Sequence, residues 1–76
     1  MSGNVRRSSA EVRRLILQAA WESFSTQGYT ATTTREIADA AGVTQAAIFR
    51  HFGRKEMLFE AVLVQPLSDF VDRFVA

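Results

Sequence analysis

The chain has 76 residues, enough for one small domain, and 47% of them are apolar and spread along its length, which excludes a disordered tract. It contains no cysteine, so disulfides, thiolate metal sites and thiol redox chemistry are excluded. The net charge of +1 names no partner by itself, and no run approaches the ~18 apolar residues of a membrane span.

Residues 1–9 lack periodicity and read as a flexible basic arm carrying Arg6 and Arg7, without the apolar core of a secretory signal. That arm is either a solvated tail or a strand of charge that follows a minor groove. Ser8 and Glu11 have the spacing of a capping box. From there Val12, Ile16, Ala19, Ala20 and Phe24 recur every three or four residues, with Leu15, Leu17 and Trp21 widening the stripe. The pattern predicts a helix from about Ser9 to Gln27, which Gly28 ends in the left-handed conformation. Thr33 with Glu36 is a second capping box, opening a short helix near Thr34 with Ile37, Ala38 and Ala41 on one face. Gly42 closes it, and Thr44 caps a third helix, roughly Gln45 to His51, with Ile48 and Phe52 turned inward.

Gly53 breaks the third helix, and a fourth begins at Arg54 or Lys55 with Met57, Leu58, Ala61 and Val62 as its apolar face and Leu63 as a further candidate. Pro66 kinks or ends it, and Leu67, Phe70, Val71, Phe74 and Val75 resume helical spacing. Trp21, Phe24, Ile37, Ile48 and Phe52 read as core, and Tyr29 as packing at the loop. No segment alternates as a strand does, so the expected class is all-α. It is a three-helix, homeodomain-like helix-turn-helix bundle over residues 10–53, followed by a fourth, connecting helix within 54–76.

Two short helices joined by a tight Gly-containing turn, residues 33–52, have the layout of a DNA-binding helix-turn-helix. With Ile48 and Phe52 inward, the third helix presents Gln45, Ala46, Phe49 and Arg50. Gln pairs with adenine, Arg with guanine, and small apolar groups meet a thymine methyl. Ala46 and Ala47 let a backbone approach the groove, and Thr33, Thr34 and Thr44 stand at helix N-termini, where phosphate is favoured. The charge distribution fits. Residues 40–55 hold Arg50, Arg54 and Lys55 and no acid, whereas residues 56–76 hold Glu56, Glu60, Asp69 and Asp72 against Arg73. Such blocks suit a polyanion-facing surface and one turned away, or ordinary solvated charge.

Gly28-Tyr29, Thr32-Thr33-Thr34, Arg35-Glu36-Ile37-Ala38, Ala41-Gly42-Val43-Thr44, Ile48-Phe49-Arg50-His51-Phe52 and Lys55-Glu56 together closely resemble the DNA-binding domain of the tetracycline-repressor (TetR/AcrR) family. Residues 16–24 resemble that family's first helix, and the likeness covers about residues 10–64. The resemblance implies a cytoplasmic, nucleoid-associated bacterial or archaeal repressor, a homodimer that binds a palindromic duplex operator and is released by a small-molecule inducer. It assigns Thr33, Thr34 and Arg35 to phosphate or base contacts. Thr44, Gln45, Ala46, Ala47 and Arg50 fall to the recognition helix, and His51 and Lys55 to the phosphate backbone.

Three positions depart from the family pattern: Phe49 replaces the usual Tyr, and Ala47 the usual Thr. Arg54 stands where a capping Ser, Asn or Asp is common, leaving Gly53 as the cap or Arg54 as a phosphate contact. The resemblance also implies a much larger C-terminal domain, for ligand and dimer, beginning within 54–76, so the chain is expected to be part of a longer repressor. The competing reading is a protein-interaction module that docks through the stripe 67–75. No nucleophile–base pair, carboxylate dyad, glycine-rich loop or metal-ligand spacing points to an enzyme, a cofactor or a metal.

Overall fold

The computed structural model describes residues 8–64. Helix α1 is Ser9–Gln27, α2 is Thr34–Ala41, α3 is Gln45–His51, and α4 is helical over 55–64. There is no strand among the described residues, so the chain is all-α as expected. The rest of the predicted arm (residues 1–7), Pro66 and the stripe 67–75 lie outside the described residues.

Local chemistry sets each boundary. The Ser8 hydroxyl accepts from the Glu11 amide at 3.1 Å, so Ser8 and Ser9 belong to the helix start rather than to an arm. Thr33 and Glu36 form the full reciprocal box: Thr33 Oγ1 accepts from the Glu36 amide at 3.1 Å, and Glu36 Oε1 accepts from the Thr33 amide at 3.3 Å. Gly28 ends α1 at φ 88°, ψ 164°, not in the left-handed helical well but in a region open to essentially glycine alone. Arg54 takes the cap position of α4, since its carbonyl accepts from the Met57 and Leu58 amides at 3.0 Å. The alternative in which Gly53 is the cap is therefore excluded.

The core is drawn from all four helices: Ile16, Leu17, Ala19, Ala20 and Phe24 from α1, Ile37, Ala38 and Ala41 from α2, Ile48 from α3, Leu58 and Val62 from α4. Alanine recurs where helices cross, because short side chains let two backbones approach closely. Phe52 is half-buried and lies under the Arg13 guanidinium, 4.7 Å from its ring centroid. Three expected core positions are corrected, and Leu63, the further candidate on α4, is one of them at 55% exposure. Trp21 is 49% exposed; it sits about 100° of helix rotation beyond Ala20, outside the arc that the neighbouring helices cover. Met57 is 56% exposed; Leu58 and Val62, four apart, define the inward face of α4 instead.

Two residues contribute more than their sequence context suggests. Phe59 is half-buried and packs edge-on against Phe24 at 5.1 Å and Tyr29 at 5.0 Å, pairs that contribute about 0.5–1.5 kcal/mol each beyond area. Thr32 is fully buried, and its hydroxyl donates to the Gly28 carbonyl at 2.8 Å and reaches the Ser23 carbonyl at 3.1 Å. The Gly28 carbonyl lies in the turn after α1, where no helical amide follows to satisfy it, whereas the Ser23 carbonyl, in the last turn of α1, also accepts from the Thr26 hydroxyl at 3.4 Å.

Thr32→Val keeps the shape and removes the donor, so the protein is expected to lose about 0.5–1.5 kcal/mol, the net contribution of a typical hydrogen bond. Thermal unfolding followed by circular dichroism should show a midpoint lower by several degrees; an unchanged midpoint would mean that the hydroxyl is dispensable.

Candidate nucleic-acid interface

The site is built outward from one turn. Gly42 follows α2 at φ 74°, ψ 31°, and its amide donates to the Ala38 and Asp39 carbonyls. The Val43 amide also donates to the Ala38 carbonyl, at 3.0 Å, which is the hydrogen-bond signature of a Schellman stop. The chain is thereby turned within two residues, and Thr44 starts α3 with its hydroxyl accepting from the Ala47 amide at 3.1 Å. Ala38, at 3% exposure, leaves room for the second helix to seat, and Ile48 anchors that helix in the core at 0%.

With Ile48 fixed inward, helical periodicity decides what faces out. Gln45, Ala46, Phe49 and Arg50 are all exposed, and Phe49 presents 52% of its surface. Thr33, Arg35 and Thr44 are exposed, while Thr34 and His51 are half-buried. Ala47 is different: it is 6% exposed and shares the inward side with Ile48. Its side chain is therefore not on the outward face of α3, and its amide is taken by the Thr44 cap.

Lys55 also departs from expectation. Its ammonium donates to the Tyr29 carbonyl and the Thr32 carbonyl, both at 2.9 Å, and stands 4.3 Å from the Tyr29 ring centroid. Two of its three N–H donors are thus spent on the loop between α1 and α2, so its first role is to tie α4 to that loop. Tyr29 packs as expected, stacked on Phe24 at 5.7 Å. Desolvation in this cluster, with the Glu56 carboxylate adding to it, raises the ionisation of the Tyr29 phenol above its ordinary range.

Between the two helices runs one side-chain bond that sequence spacing did not reveal: Gln45 Nε2 donates to Thr34 Oγ1 at 2.9 Å. The two residues are eleven apart in sequence and meet only because the turn folds α3 back against the start of α2. Among the described residues no three His, Cys, Asp or Glu side chains gather into a group that could hold a metal ion. No helix among them is long and apolar enough to cross a membrane.

The family profile described as "Bacterial regulatory proteins, tetR family" matches residues 16–62, the segment that builds this core and turn. The chain belongs to the tetR family. Similar curated proteins include the uncharacterized HTH-type transcriptional regulator YvkB of Bacillus subtilis strain 168, 50% identical over 54 residues, which is 71% of this chain and 29% of that protein. The HTH-type transcriptional regulator AcrR of Shigella flexneri is 42% identical over 62 residues, 82% of this chain and 29% of that one. The HTH-type transcriptional repressor KstR2 of Mycolicibacterium smegmatis is 41% identical over 63 residues, 83% and 29%. This tetR-family chain therefore spans less than a third of the length of these relatives. No solved structure gives a significant match. The helix-turn-helix described above lies in the segment shared with these relatives, which are named HTH-type transcriptional regulators.

Two outcomes follow from the loop. Lys55→Met should lower stability by about 1–3 kcal/mol, because it leaves two carbonyls without their charged donor. A normal melting midpoint with weakened DNA binding would return this lysine to a phosphate contact. Alkali should also loosen the domain. A raised folded-state ionisation means that the fold prefers the neutral phenol, so Tyr29's contribution is complete below its ordinary value near ~10 and is lost as pH rises through the raised one. Tyr29→Phe retains the ring and has nothing to ionise, so denaturant unfolding repeated at increasing alkaline pH should show a shallower decline than in the parent. Identical slopes would place the sensitivity elsewhere.

Proposed function

We propose that this chain reads duplex DNA by laying α3 in the major groove, as the operator-binding part of a homodimeric transcriptional repressor that a small-molecule inducer releases. The observation that carries the reading is the outward face of α3: an amide (Gln45), a methyl (Ala46), an aromatic ring (Phe49) and a guanidinium (Arg50) on one surface with no acid between residues 40 and 55. An exposed Phe on a helix that met only water would be a liability; against sugars or a thymine methyl it has a partner. Arg50 is assigned to guanine O6 and N7. Phe49, lacking the hydroxyl of a Tyr, is assigned to packing alone.

The threonines support phosphate contact. Thr33 and Thr44 use their oxygens as cap acceptors, and Thr34 accepts from Gln45, so each hydroxyl hydrogen is left without an acceptor among the described residues. A hydroxyl in that state at a helix start donates readily to a phosphate oxygen. Arg35 and His51 complete the backbone contacts in this reading, with Lys55 contributing through the loop it holds. Repression is supported by relatives whose names say repressor, KstR2 of M. smegmatis and Rv3405c of Mycobacterium tuberculosis. The dimer and the inducer site are assigned to the part of a protein of the relatives' length that lies beyond this segment. There, inducer binding would change the spacing of two recognition helices that must fit grooves about 34–36 Å apart.

Selection from a randomised duplex pool tests the reading. The expected product is a palindrome, or a single half-site if the chain binds as a monomer. Arg50→Ala should then cost about 1–3 kcal/mol and relax one position. Phe49→Ala should weaken binding while leaving stability within about 0.5 kcal/mol, as expected for an exposed side chain. A pool with no enrichment, together with binding that is indifferent to salt, would sink the proposal, since phosphate contacts weaken as salt rises.

A further inference from the structure

The Thr34–Gln45 bond has a consequence for which base is read, given that α3 enters the major groove as proposed above. A free glutamine amide is nearly symmetric in shape, so it can present its carbonyl or its NH2 group to a base with little preference, and its long side chain samples many rotamers. Here Gln45 Nε2 donates to Thr34 Oγ1 at 2.9 Å, so the nitrogen is the end of the amide turned back toward α2. Oε1 accepts no hydrogen bond from any described residue, and the side chain is exposed. The carbonyl oxygen is thus left as the free acceptor at the start of α3, the end of the helix next to the turn.

We propose that Thr34 is a positioning residue for base recognition. By holding the Gln45 amide nitrogen it turns the amide carbonyl toward the DNA and makes Gln45 select a base that offers an exocyclic amino group in the major groove. Two bases meet that requirement, adenine through N6 and cytosine through N4; guanine and thymine present acceptors there and would face the carbonyl with like polarity. Adenine is favoured over cytosine, because the second hydrogen on Nε2 is still available for adenine N7, and cytosine has no such acceptor beside its amino group. Thr34 needs no contact with the base to do this. Its effect passes through one hydrogen bond that ties the first turn of α2 to the first residue of α3.

The test compares the full chain with Thr34→Val and Thr34→Ser on the same randomised duplex pool, followed by affinities for the four duplexes that differ only at the position Gln45→Ala makes indifferent. The parent should prefer adenine there by on the order of tenfold over guanine and thymine, the scale of a single well-made base contact. Thr34→Val, which keeps the shape and loses the oxygen, should bring the four affinities to within about twofold of one another. Thr34→Ser should restore the preference. If Thr34→Val weakens all four duplexes equally, the hydroxyl serves only a phosphate or the fold, and the inference is overturned. A parent preference for guanine or thymine overturns it too, because the amide would then present its nitrogen. A parent chain that enriches no duplex at all removes the groove-reading proposal beneath it, an outcome distinct from enrichment without an amino-bearing base.

Discussion

Everything the interface presents depends on how the loop between α1 and α2 is held, and that loop is held by one ammonium and one hydroxyl. Residues 28–33 must reverse the chain where no strand among the described residues can pair their carbonyls. The structure satisfies them with side chains: Thr32 covers the end of α1 from within, and Lys55 reaches back from α4 to the Tyr29 and Thr32 carbonyls. Tyr29, clasped between Phe24 and Phe59 and under the same ammonium, closes the outer side. If the loop shifted, Thr33 would no longer stand where its capping box starts α2, and the start of α2 is where Thr34 meets Gln45.

The second constraint is that α3 is only seven residues long. A helix of that length has no stability of its own in water, since isolated helices below about 12–15 residues are marginal. Its persistence comes from Thr44 at the start, Ile48 in the core and the Gly42 turn, together with Arg13 over Phe52 at its far end. Brevity also has a use. Only two turns project, and burial of Ala47 and Ile48 on one side commits the rest to the other. The protruding face is thus set by packing behind it.

The helices and their ends were legible in the sequence because each end carries local chemistry: Ser8, Thr33 and Thr44 as caps, Gly28 and Gly42 as stops, with apolar periods between them. The outward face of α3 was legible for the same reason, since fixing Ile48 inward leaves Gln45, Ala46, Phe49 and Arg50 no other side. What escaped was tertiary. Nothing in the spacing distinguishes Ala47, beside Ile48 in the core, from Ala46, which faces out. Lys55 reads as a free cation until the loop carbonyls are seen to lie beneath it. Trp21 looks like core by residue type, yet it stands at the margin of the buried arc. Thr32 is lost in a Thr-rich run whose other members face solvent or caps. Only the fold says which threonine is inside.

The commitment of Lys55 changes the electrostatics of the proposed complex. Of the three cations in residues 40–55, one is engaged with loop carbonyls, leaving Arg50 and Arg54 free to meet phosphate or bases. Each neutralised phosphate contributes a slope of about −0.9 to the logarithmic salt dependence. A single copy with few free cations would therefore show a shallow salt response and little non-specific affinity. Most of its contacts would come from hydroxyls, an amide and an aromatic ring, groups whose value depends on fit rather than on charge. Such a surface discriminates well but holds weakly. Two copies on a palindrome remedy the weakness without altering the face, because binding of the first raises the effective concentration of the second at its half-site. On this argument the domain's low net charge is consistent with a reader that relies on pairing for affinity and on α3 for sequence.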